Sequence, residues 1–173
     1  MLRHLLLIGY IIFSYTAVSQ DWEFSVTDAN MTIQIYSYVV FFDGEEPPCG
    51  SLLGGFYIND LGESVCGGYQ IWCDDFSNNQ LAIPLFASEA GSDNGFAVGE
   101  EINWFLQVDG ETFQPSSSTM NEVAPFSLTF VPNGLGQVLD LNFFSSGCSD
   151  ITACNYCDSC AEVNDDLCDY PDT

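Results

Sequence analysis

The densest set of potential ligand atoms in this chain lies near its C-terminus. Six side chains that carry hard oxygen atoms occur within a dozen positions: Asp158, Glu162, Asn164, Asp165, Asp166 and Asp169. Ca²⁺ binds six to eight oxygen ligands, often in an acidic loop, so we predict that this segment binds calcium. Because the chain contains no D-x-[DN]-x-[DN]-G calcium loop, a solvated acidic loop is the alternative.

The eight cysteines divide unevenly along the chain. Three precede the C-terminal segment and five lie within it: Cys49, Cys66 and Cys73, then Cys148, Cys154, Cys157, Cys160 and Cys168. Both counts are odd. If all eight pair within the chain, at least one disulfide must join the two parts; one free thiol in each part, or pairing with another chain, is the alternative. The Cys154-x2-Cys157-x2-Cys160 spacing also suits zinc, but an oxidising compartment favours disulfides.

The N-terminus indicates that compartment. Arg3 and His4 precede an apolar run over residues 5–13, and Ala17-Val18-Ser19 gives the small-x-small pattern of a signal-peptidase site. We therefore predict a signal peptide over residues 1–19 and a secreted or cell-surface protein. The apolar run is shorter than the roughly 20 residues of a membrane span, so we expect none in the mature chain.

Cleavage would remove every basic side chain. Arg3 and His4 are the sole Arg, Lys or His residues, and all 25 Asp and Glu residues follow the predicted cut. The mature chain then has no side-chain salt bridge, and cations from the medium must balance its charge. Without His or Lys it has no Ser-His-Asp or Cys-His arrangement and no Schiff base. Without Lys or Arg it cannot neutralise nucleic-acid phosphates. We expect neither an enzyme nor a nucleic-acid-binding protein.

Aromatic residues supply a different kind of candidate site. Tyr36 and Tyr38 fall on the polar phase of a predicted strand, where their rings could stack on sugars, and Trp72 is a further candidate. Trp104 follows the apolar phase, which predicts a core position. Adjacent carboxylates such as those at 74–75 and 100–101 point to opposite faces of a strand, so neither pair could by itself flank a glycosidic bond.

Period-two alternation of apolar and polar residues recurs through most of the chain, which indicates half-buried strands. The predicted strands cover residues 22–27, 31–36, 55–58, 69–73, 81–86, 102–108, 126–130 and 139–143. Turn signals such as Asp43-Gly44 and Asp109-Gly110 lie between them. This pattern predicts an all-β fold, namely a β-sandwich, for which a jelly roll is one arrangement considered. The predicted sandwich covers residues 20–144, and residues 145–147 form a linker to a cysteine-rich, irregular module over 148–173.

The C-terminal module contains a distinctive motif. The stretch over residues 147–156 reads GCSDITACNY, and residues 164–171 read NDDLCDYP. It resembles a repeat, roughly G-C-T-D-x-x-A-C-N-Y…D-D-G-S-C-x-Y-P, of large secreted proteins from marine Bacteroidetes-type bacteria. Leu167 stands where that repeat has Gly-Ser, and Cys157 and Cys160 are additional. The region that includes residues 54–57, 66–68, 74–75 and 95–100 looks like the β domain found upstream of such repeats.

The resemblance implies an extracellular multidomain protein and supplies no catalytic residue. We therefore predict a non-enzymatic secreted or cell-surface module with an adhesive or structural role, stabilised by disulfides and calcium. The alternative is a carbohydrate-binding module that uses exposed aromatic side chains, and a small glycan-active enzyme is the third hypothesis. The expected partners are an extracellular glycan, a surface protein or further domains of a longer protein.

Overall fold

The computed structural model describes residues 22–147, 150–153, 162, 163 and 168. This part of the chain confirms the all-β prediction. Within the described residues there are eleven strands and one short 3₁₀ helix, η1 (Ser37–Val39). The strands are β1 (Asn30–Tyr36), β2 (Val40–Phe42), β3 (Leu52–Ile58), β4 (Ser64–Ile71), β5 (Gln80–Phe86), β6 (Asn103–Val108), β7 (Glu111–Phe113), β8 (Pro115–Met120), β9 (Leu135–Phe143), β10 (Ser146–Gly147) and β11 (Glu162–Val163).

The first sheet contains β1, β2, β5, β8 and β9. Strands β1 and β2 both run parallel to β9, with Thr32 opposite Leu135 and Val40 opposite Leu141. The segment from Thr32 to Val40 is two residues longer than the facing segment of β9, from Leu135 to Leu141. The helix η1 accommodates the two additional residues. Strand β5 pairs antiparallel with the other edge of β1. Strand β8 pairs antiparallel with β9 on the edge away from β1 and β2.

The second sheet is antiparallel in the order β4-β3-β6-β7. The Asp109-Gly110 turn joins β6 to β7, and both of its residues have positive φ, 51° and 88°. Such angles are required in the two-residue turn that suits the twist of a hairpin, as the sequence predicts. Strand β7, which has only three residues, therefore forms one edge of this sheet.

The core lies between the two sheets. In β1 the burial alternates strictly, with Met31, Ile33 and Ile35 fully buried. Leu53 and Leu106 contribute from the second sheet, and the same core cluster includes Phe96 and Phe130, whose rings stack with centroids 5.0 Å apart. Burial of these apolar side chains provides the main driving force for the sandwich.

Glycines allow the closest approach between the sheets. A Cβ atom at Gly68 in β4 would overlap the carbonyl oxygen of Pro84 in β5, and one at Gly67 would overlap the ring of Phe96. Strand β4 belongs to the second sheet and β5 to the first. Two adjacent residues without side chains therefore let backbone meet backbone at this edge of the sandwich.

Three predicted strands differ in the structure. Residues 22–27 form no strand, and Trp22 and Phe24 instead pack against aromatic rings of both sheets, Trp22 on Phe56 of β3 and Phe24 on Phe86 of β5. Residues 126–130 make only isolated bridges. In β9 the alternation predicts that Leu139, Leu141 and Phe143 face the core, but Leu139 is 48% exposed and Val138 is buried in its place. Irregular pairing with β8 between Thr119 and Met120 accompanies this change of phase.

The predicted linker, residues 145–147, contains regular secondary structure and is attached to the sandwich. Ser146–Gly147 forms β10, which pairs parallel with β11. Just before it, the backbone N–H and the hydroxyl of Ser145 donate to the Asp43 carboxylate over 2.8 and 2.6 Å. The chain is thus fixed to the sandwich just before the segment predicted to form the C-terminal module. No helix in the described part of the chain has the length and apolar character needed to cross a membrane.

Candidate functional site

Most of the carboxylates in the described sandwich lie outside its strands. Within β1–β9 the acidic residues are Glu111 and Asp140, and the other acidic residues of the described sandwich lie in loops and turns. Asp140 accepts hydrogen bonds from Ser117 and Asn142 over 3.1 and 2.7 Å. The negative charge therefore surrounds the sheets, while the sheet faces themselves are almost uncharged.

One sheet face is polar and carries a single carboxylate, that of Asp140. Because Met31, Ile33 and Ile35 point into the core, Thr32, Gln34 and Tyr36 lie on the opposite face of the first sheet. The aligned residues of neighbouring strands continue it. We call this surface the outer face, and it consists of Thr32, Gln34, Tyr36, Gln80, Ala82, Pro84, Leu135, Gln137, Asp140, Asn142 and Ser117.

Two tyrosines stand at one end of the outer face. The rings of Tyr36 and Tyr38 stack with centroids 5.3 Å apart and planes 17° apart. Tyr36 ends β1, whereas Tyr38 lies in η1 and is 67% exposed. The backbone N–H of Ser37 donates to the Asn79 carbonyl over 3.0 Å, which fixes η1 to the turn before β5. The two predicted platform residues are thus brought together.

Trp72 is not part of that platform. It is fully buried in the core cluster, with the ring of Phe76 packed edge-on at 4.7 Å. The prediction of Trp72 as a ligand-binding residue is therefore wrong. Trp104 is buried, as its phase predicts. The indole N–H groups of both tryptophans lack a hydrogen-bond partner among the described residues.

The loops at one end of the sandwich use their carboxylates to bind backbone amides. Glu100 accepts from the N–H groups of Ile58 and Ala97, both at 2.8 Å, and Asp93 accepts from that of Asp60 at 2.7 Å. Burial, together with the nearby Asp93 and Glu100 carboxylates, raises the pKa of Tyr57. Glu100 and Asp93 therefore hold the β5–β6 loop against the turn between β3 and β4, which is a structural use of carboxylates that the sequence pattern did not reveal.

The cysteines of the sandwich do not form the predicted bridge to the tail. Cys49 and Cys73 are joined by a disulfide, while Cys66 is a buried free thiol. The inclusion of Cys66 among the disulfide residues is wrong, and no cysteine of the sandwich remains for a bridge between modules. Burial raises the pKa of the Cys66 thiol to about 12, so the thiol stays protonated and unreactive at physiological pH.

Most of the predicted metal and tail residues lie outside the described residues. This applies to Asp158, Asn164, Asp165, Asp166 and Asp169, to the side chain of Glu162, and to Cys148, Cys154, Cys157 and Cys160. Cys168 is disulfide-bonded. Among the residues that can be described, no group of three or more His, Cys, Asp or Glu side chains is placed to hold a metal ion. The calcium site stays a prediction.

The chemistry available on the outer face is that of carboxamides, hydroxyls, a stacked pair of phenol rings and the single carboxylate of Asp140, which already accepts hydrogen bonds from Ser117 and Asn142. Such a surface can bind a ligand by hydrogen bonding and ring stacking. Comparison of the chain with protein-family models, with curated proteins and with solved structures finds no significant match.

Proposed function

We propose that this chain is a secreted, non-enzymatic surface module that adheres through the outer face of its first sheet. The observation that carries the proposal is the distribution of charge. All but two of the carboxylates in the described sandwich lie in loops and turns, and the outer face exposes amides, hydroxyls, the Tyr36–Tyr38 pair and one carboxylate, that of Asp140. Secretion rests on the N-terminal sequence pattern, and the resemblance to secreted surface proteins agrees with it.

The energetics of desolvation favour this face over the loops as the contact surface. Burying an unpaired carboxylate in an interface is far more costly than burying an amide that forms new hydrogen bonds. A mature chain without Lys, Arg or His cannot compensate such a carboxylate itself. The loops therefore stay hydrated most easily, while the outer face can lose its water at little cost.

The roles of individual carboxylates also support a non-enzymatic function. Glu100 is occupied by two backbone N–H groups, and Asp75 accepts from the N–H of Ile71 at 2.8 Å. Both belong to the acidic pairs that the glycan-active hypothesis would use. These carboxylate oxygens are thus engaged with the protein's own backbone and are not directed at a bound substrate.

Adding charge to the outer face tests the proposed adhesion. We expect the fluorescently labelled mature chain to bind intact bacterial or algal cells in flow cytometry. Gln34→Glu should reduce that binding at least tenfold, because it places a carboxylate in the contact. Ser64→Glu adds the same charge at an exposed position of β4 in the second sheet and should leave binding unchanged. Equal effects of the two variants, or turnover of a polysaccharide, would contradict the proposal.

We further propose that calcium stabilises the mature chain, since no basic side chain within it can balance the carboxylates. Replacing millimolar CaCl2 by EDTA at constant ionic strength should lower Tm by several degrees, because an ion that binds only the folded state stabilises it. Calorimetry of the whole mature chain measures this shift. MgCl2 at the same concentration is the control for screening, and an unchanged Tm in EDTA would count against bound calcium.

A further inference from the structure

We propose that the outer face binds a neutral glycan, with Tyr38 as the stacking platform and Gln34 and Gln137 as the hydrogen-bonding residues. This inference rests on the proposed adhesive function and names the chemical class of its ligand. The ligand is a chain rich in hydroxyl groups that has no carboxylate or sulfate. The site extends from Tyr38 in η1 across the neighbouring strands β1 and β9.

The two glutamines form a row across the sheet. Gln34 of β1 lies in register with Gln137 of β9 on one side and with Ala82 of β5 on the other. The small Ala82 side chain leaves the flank of Gln34 open. Along β1, the distance from Thr32 to Tyr36 is about 13 Å at 3.3 Å per residue, so the face is long enough for more than one sugar ring.

The amides of this row have unused hydrogen-bonding capacity. Gln137 accepts from the Asn121 side chain over 2.7 Å, which orients its amide and leaves its own NH2 group without a partner among the described residues. The Gln34 side chain makes no hydrogen bond within the same set of residues. A carboxamide can donate and accept at once. It therefore matches a sugar hydroxyl, which also does both.

Tyr38 is held in place before any ligand arrives. One face of its ring stacks on Tyr36, and with 67% of the residue exposed the other face is accessible. Stacking on Tyr36 and the hydrogen bond from Ser37 to Asn79 restrict the ring and its backbone. Less conformational freedom is then lost on binding, which favours affinity. An apolar face of a sugar ring can pack on such a phenol ring.

Charge decides between neutral and acidic glycans. The described sandwich contains no Lys, Arg or His that could bind a uronate or a sulfate, and its loops contribute many carboxylates. An acidic glycan would be repelled by these loops over distances up to the Debye length of about 8–10 Å. A neutral glycan meets no such barrier, and its hydroxyl groups need no charged partner.

Binding of the mature chain to an array of neutral and acidic oligosaccharides tests this inference directly. We expect binding confined to neutral members, and affinity electrophoresis in the best neutral polysaccharide then gives Kd values, with alginate as the acidic comparison. Tyr38→Ala should raise Kd at least tenfold, and Gln34→Ala with Gln137→Ala should do the same. Tyr38→Phe keeps the ring and should bind within about threefold of the wild type.

Leu61→Ala is the matched control, since Leu61 is 82% exposed in the turn between β3 and β4, away from the outer face. Its Kd should equal that of the wild type. Binding to no neutral glycan, equal retardation by alginate, or full binding by Tyr38→Ala would overturn the inference. Cell binding that persists without glycan binding, and that Gln34→Glu still abolishes, would sustain the adhesive function while removing the glycan as its ligand.

Discussion

Gly68→Ala should prevent the sandwich from folding stably. The added methyl group would overlap the backbone carbonyl oxygen of Pro84, and a backbone atom in a sheet cannot rotate away as a flexible side chain can. Strands β4 and β5 would have to separate, which would open the core at this edge. We expect a loss of at least 4 kcal/mol in the free energy of unfolding, a size that arises only from a few severe mechanisms.

Denaturant unfolding followed by tryptophan fluorescence measures this loss, and Gly91→Ala is its control. Gly91 also has positive φ, 82°, but no atom lies within 4 Å of a Cβ added there. Its substitution should cost only the backbone strain, about 1 kcal/mol. If the two variants proved equally stable, the close approach of β4 to β5 would not be essential to the fold.

Removing the Cys49–Cys73 disulfide should have the second-largest effect. The bridge joins residues 24 positions apart and so restricts the unfolded chain; for a loop of this length the stabilisation is about 3 kcal/mol. We expect the Cys49→Ser, Cys73→Ser double variant to lose that amount and its Tm to fall by roughly 6–12 °C. Both cysteines are changed together because a single substitution would leave a second free thiol in the same domain as Cys66.

Cys66→Ala is the comparison for this variant. It removes a buried thiol that forms no bridge, so it should cost only about 1 kcal/mol, from lost packing. Chemical denaturation under non-reducing conditions compares the two. A loss for Cys66→Ala as large as that for the double variant would mean that Cys66, and not the Cys49–Cys73 bridge, stabilises this part of the sandwich.

Strands with one buried face were predictable from the sequence. In β1 the apolar residues alternate regularly and occupy the buried positions expected of them. In β6 Trp104, Leu106 and Val108 are buried as predicted, although Gln107 on the opposite phase is buried as well. The same rule failed at residues 22–27, where Trp22 and Phe24 do alternate with polar residues. Their burial comes from ring contacts with Phe56, Tyr69 and Phe86. Alternation alone cannot tell such ring packing from strand pairing.

Strand β8 was missed for the opposite reason. Its sequence, PSSSTM, has almost no apolar residue, and Ser116, Ser117, Ser118 and Thr119 are all exposed. The segment is a strand because its backbone pairs with β9 at the edge of the first sheet. A strand that buries neither face produces no periodic signal, and its pairing depends on a partner far along the chain.

The candidate site was predicted in part. The polar phase of Tyr36 and the nearby Tyr38 identified both aromatic residues, but Trp72 was misplaced because a large ring next to a strand end can be core or surface. Gln34 and Gln137 were not singled out, since 103 residues separate them and the parallel pairing of β1 with β9 brings them together. The amide row is thus a property of the tertiary structure.

The short helix η1 makes the chain tolerant of change in one place. The segment that joins β1 to β2 is two residues longer than the facing part of β9, and η1 accommodates this difference. Strand β1 before η1 and strand β2 after it both pair parallel with β9. An exposed residue of η1 such as Tyr38 can therefore be exchanged without shifting the strands that carry the core. Sequence variants that differ in η1 would keep one scaffold while presenting different rings to their ligands, much as antibody loops vary on a constant framework.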